Sequence, residues 1–142
     1  MATKRWGLAV VLMMASAGVA AQTPREVRPE GEPLSNTFVT AVESTVDAVD
    51  AVDLAAAPEQ LTSQMQNVET VYGNLKAMTS TDREERALAE VNDLLFALRA
   101  CRIQSTSGND TAKCRTRLGQ EEARVLDAIG KKKVEGRWVN LR

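Results

Sequence analysis

The chain has 142 residues, enough for one domain, and it contains no histidine. That absence removes the Ser-His-Asp and Cys-His catalytic arrangements, the usual zinc sites with His ligands and His-ligated haem. Residues 22–142 carry 16 basic and 19 acidic side chains, unlike the strongly basic balance of a nucleic-acid binder, so no nucleic-acid partner is expected.

Residues 1–21 have the makeup of a cleaved secretory signal. Lys4 and Arg5 give a positive start, Leu8 to Ala21 is uncharged and apolar or small, and Val19-Ala20-Ala21 fits the small-residue rule for signal peptidase. The apolar run is short of the ~20 residues of a membrane span. The processed protein is therefore not expected to be an integral membrane protein. The expected address is the periplasm of a Gram-negative bacterium, with secretion as the alternative. Residues 22–33 hold three prolines, one glycine and five charges, and read as a flexible arm.

A helical domain is expected over 34–130. Ser35 or Asn36 is a suitable N-cap for a first helix over about 35–56. Phe38, Val42, Val49 and Val52 share a narrow arc at ~100° per residue. Many β-branched residues make it the weakest helix by propensity, so packing must hold it. Ala57-Pro58 starts a second helix over 58–78, because proline suits the first helical turn. Its apolar row is Leu61, Met65, Val68, Tyr72 and Leu75.

Thr81 and Glu84 have capping-box spacing and open a third helix over 81–104. Ala87, Val91, Leu94, Leu95, Leu98 and Cys101 form its apolar face, and this helix is expected at the centre of the core. Phe96 lies off the main row; it is expected to widen the buried face, with an exposed contact as the alternative. Ser105 to Asp110 is a loop by composition. A fourth helix spans 111–130, with Cys114, Leu118, Val125 and Ile129 inward and Gly130 as its C-cap. The pattern predicts an all-α protein, an antiparallel four-helix bundle. A short basic C-terminal tail, 131–142, either straps back over the bundle or moves freely.

Two cysteines in an exported chain are expected to pair. Cys101 and Cys114 are nearly equidistant from the loop around Ser107 and Gly108, and both lie on inner faces. Such a bond is worth roughly 3 kcal/mol in the chain-entropy model. A redox role is disfavoured, since such pairs are usually Cys-x-x-Cys.

Charge is unevenly placed: residues 22–80 carry 3 basic and 9 acidic groups, and residues 81–142 carry 13 basic and 10 acidic. The acidic face Glu43, Asp47 and Asp50 reads first as a solvated helix surface, and otherwise as a dock for the basic half. Glu121, between Arg117 and Arg124, reads as an intrahelical ion pair rather than a catalytic acid. The tail residues Lys131, Lys132, Lys133, Arg137 and Trp138 are the candidate partner-binding set. Internal docking on the acidic helix competes with that role. No catalytic constellation, cofactor site or metal cluster is visible, so none is expected. The leading expectation is a protein that binds another envelope protein or a cell-wall component, as an inhibitor, immunity-type protein, adaptor or chaperone-like factor. An envelope enzyme or small-ligand carrier with an interhelical pocket is one alternative. A self-assembling structural protein is the other, and the oligomeric state is open.

Overall fold

The structure, a computed structural model, describes residues 32–141. The expected signal segment and most of the expected arm lie outside the described residues. Four helices are followed by a small β-hairpin: α1 Asn36–Asp50, α2 Pro58–Met78, α3 Asp82–Thr106, α4 Ala112–Ala128, β1 Lys131–Val134 and β2 Arg137–Asn140. Packing joins α1 to α2 and α3 to α4; α1 also touches α3, and α4 touches β1.

Each helix starts where its chemistry allows. The Ser35 hydroxyl accepts the Phe38 N–H at 3.2 Å, which caps α1. Pro58 occupies the first turn of α2, where its missing N–H costs nothing. In α3 the Thr81 hydroxyl accepts the Glu84 N–H, and the Glu84 carboxylate accepts the Thr81 N–H, a complete capping box. Gly108 and Gly130 stand in the left-handed region at φ 71 and 67, and let the chain leave α3 and α4.

The expected reach of the first helix to residue 56 is wrong. It ends at Asp50, and residues 51–57 form a turn. Asp53 is the cause. Its carboxylate accepts the Ala55 N–H at 2.9 Å, and its own N–H donates to Gln64 Oε1 at 2.9 Å. An aspartate that binds nearby backbone competes with the helix ladder. The turn also buries Leu54. The other three helices lie within two residues of their expected limits, the usual latitude of helix ends.

The core is one cluster built from Phe38, Val42, Val46 and Val49 of α1, Leu61, Met65, Val68 and Leu75 of α2, the inner row of α3, and Cys114 and Val125 of α4. At ~25 cal/mol per Å2 of apolar surface removed from water, each large side chain here contributes about 1.5–3 kcal/mol. Cys101 and Cys114 form a disulfide, with Cα atoms 5.3 Å apart, and tie the end of α3 to the start of α4. Arg99 grips Glu69 through three hydrogen bonds of 2.7–2.9 Å, which ties α3 to α2. Phe96 departs from the favoured expectation of burial and takes the exposed alternative: it is 59% exposed, because the α3 row that faces the core runs on the far side of the helix.

Candidate functional site

The tail is neither an extended strap nor a loose end. Its two strands pair antiparallel, with Lys131 opposite Asn140, Lys132 opposite Val139, Lys133 opposite Trp138 and Val134 opposite Arg137. The turn residues Glu135 and Gly136 both have positive φ, 50 and 74, as a two-residue hairpin of this hand requires. At the open end, the Leu141 N–H donates to the Gly130 carbonyl at 2.8 Å.

Alternation gives the hairpin two unlike sides. Lys131, Lys133 and Trp138 are partly buried against the helices. There the tail meets the acidic face of α1. Lys131 Nζ lies 3.5 Å from Glu43 Oε1. Lys133 Nζ lies 2.7 Å from Asp47 Oδ1 and also bonds Asp50. Trp138 Nε1–H donates to Asp47 Oδ2 at 3.3 Å, and the Lys133 ammonium sits 4.8 Å from the Trp138 ring centroid. The match has a simple geometric origin. One helical turn rises ~5.4 Å and two strand residues rise ~6.6 Å. Alternate lysines on β1 therefore fall opposite successive acidic turns of α1. Glu43, Asp47 and Asp50 are thus a dock for the basic half rather than a free anionic face.

Glu122 of α4 completes this contact, and the sequence reading did not single it out. Burial and the neighbouring Asp50 charge push its carboxyl up to about 7, Asp50 also shares a hydrogen bond with it, and Asp47 adds to the effect. Lys133 opposes the shift. Three carboxyl groups thus surround one ammonium, and the surplus of negative charge works to keep Glu122 protonated. For Lys133, burial disfavours the charge, but hydrogen bonds to Asp47 and Asp50 win and hold its pKa above the ordinary value. Trp138 also packs on the edge of the core, so the inner side of the hairpin is apolar as well as ionic.

The outer side carries Lys132, Val134, Arg137 and Val139, all exposed, and Leu141 follows them, 44% exposed. Of the five candidate partner-binding residues, Lys131, Lys133 and Trp138 are therefore engaged internally. Lys132 and Arg137 face solvent beside apolar neighbours.

Elsewhere, Glu121 is buried and forms the expected ion pairs, 3.2 Å to Arg124 and 3.9 Å to Arg117. It also approaches Glu90 and Asp93, with carboxylate oxygens within 4.8 Å of one another. The two guanidinium groups already offset charge there, which weakens the attraction for a cation. Neither the α4 contact of Glu90 and Asp93 nor the role of Glu122 was visible from spacing within a single helix. A small hollow of about 190 Å3 lies where α1 ends, lined by Val49, Leu54, Leu98 and Leu118 together with Asp50, Asp53 and Arg115. Among the described residues no helix is long and apolar enough to cross a membrane. No protein-family model, curated protein or solved structure matches the chain.

Proposed function

We propose that this is an exported, non-catalytic binding protein of the cell envelope, an antiparallel four-helix bundle that engages an envelope protein through the outer side of its C-terminal hairpin. The observation that carries the reading is the division of the hairpin. Its inner residues are spent on α1 and the core, while Lys132, Val134, Arg137 and Val139 are held outward on a docked, pre-shaped strand pair. Cations interleaved with small apolar side chains suit a partner groove with carboxylates at its rim and an apolar floor. Pre-shaping lowers the entropy cost of binding. Address and pairing are consistent with each other: the Cys101–Cys114 bond belongs to an oxidising compartment.

The test is affinity capture from envelope extracts with the natural chain and with Lys132→Glu combined with Arg137→Glu. Both side chains are exposed, so the fold is kept, which circular dichroism checks. The reading predicts a captured partner whose affinity falls about tenfold or more in the double variant. Equal capture by both chains overturns it.

A second reading, a small-ligand carrier, draws on the hollow of about 190 Å3 beside Leu54 and Arg115. A lining that mixes apolar side chains with two carboxylates and one guanidinium suits a small zwitterion. A thermal shift with free amino acids that is lost on Arg115→Ala favours this reading over the first.

A further inference from the structure

The outward side of α3 is unlike the other helix surfaces. Phe96 is 59% exposed and Ile103 65% exposed, the two most exposed large apolar side chains among the described residues. They are seven residues apart, so both lie on one narrow stripe opposite the buried row of Ala87, Val91, Leu94 and Leu98. Ala89 and Ala100 share that stripe, and Asp93 edges it on the side of α4. The Arg117 guanidinium of α4 lies 5.9 Å from the centroid of the Phe96 ring on the same side. Apart from the 3.9 Å approach of Arg117 to Glu121, none of this serves the hairpin or the internal core.

We propose that this stripe is a homodimer interface, with α3 of one copy packed antiparallel on α3 of a second copy about a two-fold axis at Phe96. Three features of the stripe match itself under that operation. Phe96 sits near the middle of α3, which runs from Asp82 to Thr106, so the two helices overlap for most of their length. Residues equally spaced before and after Phe96 then face each other. Ile103 meets Ala89, large against small, and the two Phe96 rings meet at the axis, where offset stacking is favourable. In antiparallel helices the same flank of each copy meets, so charges on the α4 flank decide the fit. Asp93 precedes Phe96 by about one turn, and Arg117 lies over the ring. Each copy therefore brings its Asp93 to the other's Arg117, and symmetry makes the pair twice.

The alternatives fit less well. An anionic lipid surface would meet the Asp93 carboxylate at the edge of the stripe, which would repel it. An unrelated helix has no reason to match the large, small and charged positions in mirrored order. On the α2 flank, Arg99 is taken by Glu69 and Asn92 accepts from the Tyr72 hydroxyl at 3.3 Å. That flank is a finished rim and leaves pairing to the other side.

Sedimentation equilibrium of the purified chain tests the proposal. The natural protein is expected to have twice the chain mass at ~100 μM and to dissociate on dilution, as a micromolar interface does. Phe96→Asp is expected to be monomeric with an unchanged helical spectrum, because the ring contributes nothing to the core. Asp93→Arg should weaken association about tenfold or more, and Asp93→Arg combined with Arg117→Asp should restore it. A natural chain that is monomeric throughout overturns the proposal. So does a Phe96→Asp chain that still dimerises, or a charge exchange that fails to restore association. Hairpin variants leave this experiment untouched, so its outcome is independent of the binding reading above.

Discussion

Two carboxyl groups help tie α1 to the rest of the molecule, and they do so in opposite ways. Glu84, at the start of α3, is almost fully buried yet sits among neutral donors. Its Oε1 accepts the Ser35 N–H at 3.3 Å and the Ser35 hydroxyl at 2.9 Å. Its Oε2 accepts the Ser80 N–H at 2.9 Å, the Ser80 hydroxyl at 3.1 Å and the Thr81 N–H at 3.3 Å. Burial works to raise its pKa, but these hydrogen bonds, led by the Ser80 backbone, win and hold it below the ordinary 4.5. Glu122 faces carboxylates instead and is pushed up to about 7. One group, an anion at pH 4.5 and above, joins the N-terminal ends of α1 and α3. The other is an acid joining α4, α1 and the hairpin, and it keeps its proton until near neutrality. What separates them is less the depth of burial than whether the neighbours are donors or fellow acceptors.

The strongest way to break this comparison is at Glu84. Glu84→Ala strips one acceptor from five donors at once, and water can reach only some of them. It should lower unfolding free energy by about 3 kcal/mol, measured by urea denaturation. Replacing both cysteines by serine should cost a similar ~3 kcal/mol in the same assay, with little change in the fold. A smaller effect, about 1–2 kcal/mol, is expected for Lys133→Ala, which leaves Asp47, Asp50 and Glu122 without their shared cation. In that variant the Glu122 carboxyl should titrate higher still.

The comparison also predicts a pH profile with two sides. Glu84 is depressed in the folded state, so its stabilisation is present above pH 4.5 and is lost as pH falls through its lowered value. Glu122 is raised in the folded state, so folding retains a proton that the unfolded chain releases. Its contribution is complete below 4.5, declines as pH rises towards about 7, and changes no further above that. Melting temperature should therefore peak near the ordinary glutamate value and fall on either side. Glu122→Gln should flatten the neutral limb and leave the acid limb in place. A profile whose neutral limb is the same with and without Glu122 would break the account of that carboxyl. The smallest effect is expected at the outer side of the hairpin. Lys132→Glu should shift the melting temperature by no more than a degree or two, since exposed charges contribute little to stability.

Much of the helical framework was legible because its signals are local. Pro58 at a helix start, the Thr81–Glu84 box, the apolar rows and the cysteine pair all depend on residues a few positions apart. The reading erred where a second element decided the outcome. Asp53 looked like a late residue of α1, but Gln64 of α2 draws its N–H into a turn. Glu84 looked like half of a capping box, and nothing near it in sequence announced Ser35 on the other oxygen. Phe96 lay off the main row of its helix, and of the two readings open to it, burial and an exposed contact, the structure takes the second. The hairpin was the clearest signal passed over. Glu135-Gly136 between Lys131–Val134 and Arg137–Asn140 is a two-residue turn with glycine second. Three consecutive lysines concealed the alternation of β1, because the inward lysines are neutralised by α1 carboxylates that the local pattern does not contain.

The seat of the hairpin on α1 and α4 is the claim on which the binding reading depends, since it decides which side of the strands faces a partner. Carbon-13 carboxyl titration by nuclear magnetic resonance, followed together with the Trp138 indole N–H, tests it most directly. A docked hairpin predicts a Glu122 midpoint near 7, a Trp138 indole signal that moves with the same midpoint, and a Glu84 midpoint below 4.5. A Glu122 midpoint at the ordinary 4.5 with an indole signal indifferent to pH would contradict it.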